Sequence, residues 1–374
     1  MPFGFFRPQC SPVLADFGTS GVKLLQLSRG EPEQTVAAAT IEFDDALRGQ
    51  PLEARLAYVE TQLAQTLRTA GFRGKRVVVA PFTQHTLVQH VAVAPSDAEC
   101  ADDIIRTRIA VSLGCDPSEL VVRTSVVTET MRDGEVRVET IAFAMARQDV
   151  MRYVSLFKRV GWTVVGVHSH IAALVHAFDG DARSADTATM YADLGYGGTK
   201  VAICHGKELV FAKTIPFAGR SLDARLAAAH GGEVAEIRNA RMAAGLAAWN
   251  PSESVDFAEA GCAVLGTSTR ASVATAARDA VDGLVEELSM CARYHGALFP
   301  EQPIDRAVFV GGESRDQGLC RALADTLGIP VDVGDPLAST LRGGVDSVSG
   351  LPEPNSPHPG WTVAYGLART TTDL

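Results

Sequence analysis

Val13-Leu-Ala-Asp16-Phe-Gly18-Thr19-Ser20-Gly21-Val-Lys23-Leu-Leu-Gln-Leu27 decides the fold. It reads as a β-strand, a tight turn of small residues and a second strand. The pattern returns at Thr189-Met-Tyr-Ala-Asp193-Leu-Gly195-Tyr-Gly197-Gly198-Thr199-Lys200-Val-Ala-Ile-Cys204. Aligned on Asp16 and Asp193, the two stretches share Ala-Asp-x-Gly, and Lys23 falls on Lys200. The offset, 193 − 16 = 177 residues, is about half of the 374-residue chain. That is too long for a solenoid repeat and predicts a duplicated α/β domain.

Each turn places an aspartate at a strand end, followed by residues with little side-chain bulk. Consecutive backbone N–H groups are then open to cradle phosphate oxygens. The aspartate beside them holds a hydrated Mg2+ or positions a water. An ordinary hairpin uses the same residues, so the case rests on two such turns in register. A third element is Val308-Phe-Val-Gly311-Gly312-Glu313-Ser314, a buried strand ending in a Gly-Gly turn just before a helix. Ligands of open α/β sheets bind beyond the carboxyl ends of strands, and two glycines let a flat ring approach the backbone.

Outward from these turns, Pro51 opens a helix with Leu52, Leu56, Val59, Leu63 and Leu67 at helical spacing, and Gly71 ends it. Arg76–Ala80 (RVVVA) suits a central buried strand. Ser96-Asp-Ala-Glu99 has the form of a capping box ahead of a helix through Ile104, Ile105 and Ile109. Two strands, Leu120–Thr128 and Glu135–Ala144, meet at an Asp133-Gly134 hairpin turn. Helices rich in alanine are expected over Ser221–Ala229, Val234–Ala248 and Ala271–Leu298. Leu351–Gly360 is a Pro-rich surface loop by composition.

Lys and Arg number 34 against 44 Asp and Glu, a formal charge of −10. Nucleic acid and anionic lipid both need clustered basic residues, so neither is an expected partner. At 46% hydrophobic and 21% charged residues the chain has material for full cores and is not a disordered polymer. No apolar run reaches the ~20 residues of a transmembrane helix, so the chain reads as soluble without membrane insertion. Phe3, Phe5 and Phe6 form either a frayed tail or a docking element. The seven cysteines include no CxxC and no zinc spacing, and read as reduced structural thiols.

Asp16-Phe-Gly-Thr-Ser-Gly-Val-Lys23 resembles the first phosphate loop of the actin/Hsp70/sugar-kinase superfamily. Asp193-Leu-Gly-Tyr-Gly-Gly-Thr199 resembles its second, and Val310-Gly-Gly-Glu-Ser314 its adenosine loop. Within the superfamily the likeness is to the PilM family of type IV pilus assembly. It is carried by Ile141–Arg147 (IAFAMAR), Asp149–Tyr153 (DVMRY), Val160–Val164 (VGWTV), Phe217–Leu222 (FAGRSL) and Gly311-Gly-Glu-Ser with Leu327-Gly-Ile-Pro-Val331. Order and spacing agree from about residue 13 to 368.

The resemblance implies an actin-like fold, with two RNase H-like α/β domains around a nucleotide cleft and an inserted small α/β subdomain. The first domain would comprise residues 1–83 and 147–185, interrupted by an FtsA/PilM-type subdomain at 84–146. The second would span 186–350, and 351–374 would return to the first. ATP and Mg2+ are the implied cofactors. The implied nucleotide contacts are Asp16, Gly18, Thr19, Ser20, Gly21, Lys23, Asp193, Gly195, Gly197, Gly198, Thr199, Gly311, Gly312, Glu313 and Ser314. Asp16 and Asp193 would hold Mg2+ through water. The implied partner is the N-terminal cytoplasmic peptide of a PilN-like bitopic membrane protein, beside other pilus or secretion platform proteins. That implies a cytoplasmic scaffold, peripheral to the inner membrane, with self-association left open.

One departure bears on chemistry. Relatives begin the helix after the first domain's last strand with an acidic residue near the attacking water. Here Val167-His-Ser-His170-Ile places His170 there. A neutral imidazole orients a water, but the exchange predicts at most a weak ATPase, with Asp193 and His170 as catalytic candidates. His168-x-His170 lacks a third metal ligand nearby. Lys23 and Lys200 either reach phosphates or stand as exposed strand lysines. Glu236, Arg238 and Arg241 lie where relatives contact ribose or adenine, and the composition favours a solvated helix face. The alternative functions are a small-molecule kinase or phosphohydrolase, for which no catalytic Asp stands out, and an FtsA-like division protein, for which no basic amphipathic C-terminal helix is found.

Overall fold

The computed structural model describes residues 10–30, 33–132, 134–181, 187–230, 232–244, 270–341 and 357–372. Phe3, Phe5, Phe6, Cys262, residues 245–248 of the expected helix, residues 351–356 and the last two residues lie outside them.

The opening hairpin is β1 (Val13–Gly18) and β2 (Gly21–Leu27), paired antiparallel with Asp16 opposite Lys23. β3 (Thr35–Glu42) extends it, and α1 (Asp45–Arg48) and α2 (Leu52–Thr69) follow. β4 (Arg76–Ala80) then runs parallel to β1, with Val77 to Ala80 buried between two packed faces. β5 (Leu87–Val93), α3 (Ala101–Leu113), β6 (Leu120–Arg132) and β7 (Glu135–Ala146) form a separate antiparallel sheet in the order β5-β7-β6. α4 (Arg147–Arg159), β8 (Thr163–Val167) and α5 (His170–His176) complete the first half, whose sheet order is β3-β2-β1-β4-β8.

The second half repeats that sheet strand for strand. Its hairpin is β9 (Ala188–Leu194) and β10 (Thr199–His205), with Lys200 opposite Asp193, followed by β11 (Glu208–Ile215). α6 (Gly219–His230), α7 (Val234–Ala244) and α8 (Arg270–Leu298) lead to β12 (Arg306–Val310), α9 (Gln317–Leu327) and β13 (Val331–Val333). The order is β11-β10-β9-β12-β13. α10 (Ala338–Leu341) and α11 (Thr362–Gly366) close the described chain.

On one face of the first sheet, Phe17 meets Phe82 at 5.5 Å and Tyr153 at 4.9 Å, edge to face, above Val59 and Leu63 of α2. On the other face, Trp361, Tyr365 and Leu367 pack against Leu14 and Leu25, so the C-terminal segment belongs to the first half's core. There α11 lies backbone to backbone on α5. A Cβ at Gly366 would sit 2.7 Å from the carbonyl carbon of Ala173. Another core joins α5 to the three-stranded sheet and to the second half's sheet through Leu174, Ile141, Tyr191 and Val308.

Three edge strands carried little local signal. β3 runs through Ala37-Ala38-Ala39, and β5 and β11 likewise form by pairing with a neighbour that already has a register. The helix expected directly after Ser96 starts later. Pro95–Cys100 is a 3-10 turn, and α3 starts after Cys100 with no side-chain cap. β6 runs on to Arg132, past the expected Thr128. Its bulge between Val126 and Thr128 brings Val127 against the second half's core.

One histidine pair, with His295 buried and His205 half-buried, makes folding pH-dependent. His205 and His295 approach Nε2 to Nε2 at 2.7 Å, with His295 only 1% exposed. Burial, and then the His205 charge, push His295 down to about 4. The unfolded chain therefore takes up a proton below about pH 6.5 that the folded protein refuses until about pH 4. Stability from this site is complete above pH 6.5 and lost as the pH falls to 4, by about 2–3 kcal/mol. Urea midpoints measured across that range should show the loss, and His295→Gln should flatten the profile.

Candidate functional site

The equivalent strands β1 and β9 each carry an aspartate close to their C-terminal end, and the turns after them face each other. Thr19 of the first turn touches Gly197 of the second so closely that a Cβ at Gly197 would lie 2.8 Å from the Thr19 Cβ. Between the halves is a cleft of about 830 Å³. It is lined by Asp16, Gly18, Thr19, Ser20, Gly21 and Lys23 from the first turn and by Asp193, Gly195 and Gly197 from the second. Gly311, Gly312 and Glu313 line it from the turn after β12, and His170 from the start of α5. Three of the expected residues do not line it. Thr199 is buried with its hydroxyl donating to the Phe217 carbonyl at 2.9 Å, and Ser314 Oγ donates to the Gly311 carbonyl at 2.8 Å. Gly198 lies back against the Ile215 carbonyl.

The two aspartates differ in their partners. Asp16 Oδ1 accepts from His170 Nε2 at 3.0 Å, and Ser169 caps α5 by accepting from Ala172 N. Burial acts to raise the Asp16 carboxyl. The His170 hydrogen bond and charge, with Lys23 and Lys200, outweigh it and hold the group below the usual carboxylate range. Asp193 Oδ2 instead accepts from Lys200 Nζ at 3.0 Å. Lys23 Nζ donates to the Gly360 carbonyl, and Gly311 N–H donates to Pro359 O at 3.0 Å. The C-terminal segment thus forms part of the cleft wall. His168 turns away to the Thr371 carbonyl at 2.8 Å, so the two histidines do not share a site.

The expectation of a solvated face for Arg238 and Arg241 is corrected. Arg241 is 2% exposed, and its three guanidinium nitrogens each meet a different carboxylate. The distances are 2.8 Å to Asp223, 2.7 Å to Asp316 and 2.6 Å to Glu313. Arg238 lies 2.7 Å from the second oxygen of Glu313. Glu313 is therefore committed to α7 and fixes the third turn in place. A Cβ at Gly219 would sit 2.5 Å from its Oε2, so only glycine admits the carboxylate there.

Lys200 lines the cleft with Lys23, and sequence reasoning missed Arg48, Tyr196, Met242 and Arg315, which line it too. Arg238 lies 4.3 Å over the Tyr196 ring and Arg48 lies 5.5 Å from its centre. One tyrosine of the second half is thus held between a guanidinium from each half. The arrangement offers two glycine turns, two lysines and two carboxylates near strand ends around one cavity, the chemistry of a polyphosphate site.

Comparison with known proteins follows the same line. Residues 228–345 match the model of the FGGY family of carbohydrate kinases, C-terminal domain. No curated protein matches the sequence. Among solved structures, the PilM-PilN type IV pilus biogenesis complex superposes with a TM-score of 0.71 at 18% identity, covering 96% of this chain and 97% of that one. The ethanolamine utilization protein EutJ from Carboxydothermus hydrogenoformans gives 0.51 at 12% identity, covering 98% and 91%. With two like sheets, an inserted third sheet and a cleft between facing turns, the chain has the actin-like fold in the form seen in PilM.

Proposed function

We propose that the cleft binds ATP and that the protein is a nucleotide-binding scaffold of a type IV pilus or related secretion platform. The observation that carries the reading is the convergence of three glycine turns, Lys23 and Lys200 on one cavity. The first two turns would take the phosphates, and the Gly311-Gly312 turn with Arg238 and Met242 would face the nucleoside. Asp16 and Asp193 each have one oxygen already engaged by a side-chain nitrogen, of His170 and Lys200 respectively. Among the described residues no three His, Cys, Asp or Glu side chains form a metal cage. That donor set fits a hydrated Mg2+, which Asp16 and Asp193 would hold through water. When bound, the ion supplies charge neutralisation.

His170 Nε2 is engaged with Asp16, so its hydrogen bond serves to hold that carboxylate. This supports slow turnover or none. The likeness to the PilM-PilN complex supports a PilN-type partner, received through its N-terminal cytoplasmic tail beside the three-stranded sheet. Among the described residues no helix is long and apolar enough to cross a membrane. Placement at the inner membrane would therefore come through that partner.

ATP with Mg2+ should raise the melting temperature by about 2–4 °C at saturating concentration. Asp16→Ala and Asp193→Ala should each remove most of that shift, and no shift with any nucleotide overturns the reading. A carbohydrate kinase is the second reading, favoured by the match over residues 228–345. It requires ADP release that depends on an added sugar. The scaffold predicts none, and predicts capture of a short-tailed bitopic protein in a pull-down.

A further inference from the structure

The two guanidinia at Tyr196 come from matching places in the duplication. Arg48 stands on α1, the first helix after β3, the third strand of the first half. Arg238 stands on α7, in the helices that follow β11, the third strand of the second half. Tyr196 lies between Gly195 and Gly197 in the second glycine turn, and its ring and both arginines line the cleft.

Each arm is braced by its own half. In the first, the Asp44 side chain caps α1 by accepting from Leu47 N at 2.7 Å, and Phe43 and Leu47 pack with the first half's core. Asp45 Oδ1 lies 2.6 Å from Arg48 Nη1 and so holds the guanidinium at one corner. Arg48 Nε is shielded from solvent with no hydrogen-bond acceptor among the described residues. Its guanidinium carbon lies 5.5 Å from the centre of the Tyr196 ring. In the second half, Arg238 is fixed 2.7 Å from the buried Glu313 carboxylate and lies 4.3 Å over the same ring. The Arg48 side chain keeps 22% of its surface exposed, so this contact between the halves sits at the rim of the cavity. It must break before the halves part there.

We propose that Arg48 and Tyr196 form a latch across the rim of the cleft that sets how fast nucleotide enters and leaves. The proposal rests on the cleft being the nucleotide site. A cation held against an aromatic ring at a partly shielded site favours the closed arrangement by a factor of about three to ten. The latch is made by protein groups alone and forms with or without a ligand. It therefore slows entry and release by the same factor and leaves the affinity nearly unchanged.

Stopped-flow mixing of the full chain with a fluorescent ATP analogue and Mg2+ reads both rates. Arg48→Gln and Tyr196→Leu should each speed association and release by about three- to tenfold, with Kd within about threefold of wild type. The double variant should be no faster than Tyr196→Leu alone, because the arginine then has no ring to meet. Tyr196→Phe keeps the ring and should restore the slow rates. Amide hydrogen exchange without nucleotide gives a second readout on residues 17–21 and 194–198, the two turns that shield each other through Thr19 and Gly197. Exchange there should be about three- to tenfold faster in Arg48→Gln. Wild-type rates in Arg48→Gln overturn the proposal. So does a tenfold loss of affinity with association unchanged, because Arg48 would then be holding the nucleotide itself. If no nucleotide binds at all, the exchange measurement decides. Faster exchange keeps the latch and condemns only the reading of the cleft, and unchanged exchange overturns both.

Discussion

Arg241→Met should destabilise the protein by about 3–5 kcal/mol, read as a lower urea midpoint at neutral pH. The size follows from what the substitution leaves behind. Asp223, Glu313 and Asp316 are each 0–1% exposed and all lean on this guanidinium. Arg238 touches only two of them, and its contact with Asp223 is long at 3.4 Å. Burial, with a smaller push from the Glu313 charge, already raises Asp223 despite Arg241. Without Arg241, Asp223 loses its largest counter-charge, and its folded-state pKa rises further above the unfolded one. Its charged form then costs stability at neutral pH and above, and protonation relieves the cost as the pH falls. The deficit of Arg241→Met relative to wild type should accordingly shrink from pH 8 to pH 5. Arg241→Lys should be intermediate, since an ammonium keeps the charge but cannot meet three carboxylates in one plane. A loss below about 1 kcal/mol would show that the knot is not what holds α7 to the third turn.

Gly311→Ala should be nearly as severe and should act on binding as well. Gly311 has φ +93°, a region costly to any residue with a Cβ, and the new atom would meet the Asp193 carboxylate and the Leu194 backbone. The nearest backbone carbon is 2.8 Å away, and backbone cannot swing aside as a side-chain tip does. Strain and overlap together should cost about 2–4 kcal/mol. Because Asp193 and the third turn are displaced together, ATP binding should weaken by about 30–100-fold, equivalent to about 2–3 kcal/mol. Gly312→Ala is the internal control: a Cβ there meets nothing within 4 Å and its φ is not left-handed. It should fold as wild type does. Equal unfolding midpoints for the two variants would sink the argument.

The legible part of the site was the part built from local backbone chemistry. Asp16, Gly18 to Gly21, Asp193, Gly195, Gly197, Gly311 and Gly312 are glycine turns on strand ends, and all of them line the cleft. Thr199 and Ser314 belong to the same motifs but turn their hydroxyls to backbone carbonyls. No pattern of residue types reports which way a short polar side chain faces. Arg238 and Arg241 were misread because a charged helix face normally faces water. Their carboxylate partners are 15 and 18 residues away in Asp223 and 72 or more residues away in Glu313 and Asp316. Tyr196 and Arg48 escaped for the same reason, since a contact across 148 residues has no local signature.

The duplication, the two strand–turn–strand elements and their register were determined by the sequence itself. A hairpin's pairing follows from its own turn and its own alternation, and Asp16 opposite Lys23 and Asp193 opposite Lys200 obey it. Tertiary structure alone decided what those aspartates touch. Asp16 is claimed by His170, 154 residues on, and Asp193 by its own strand neighbour Lys200. It also decided that Gly360 closes on Lys23 and that Arg55 is buried over the Phe82 ring. Burial and charge depend on which surfaces the fold brings together, and the two equal turns became unequal only when the rest of the chain packed around them.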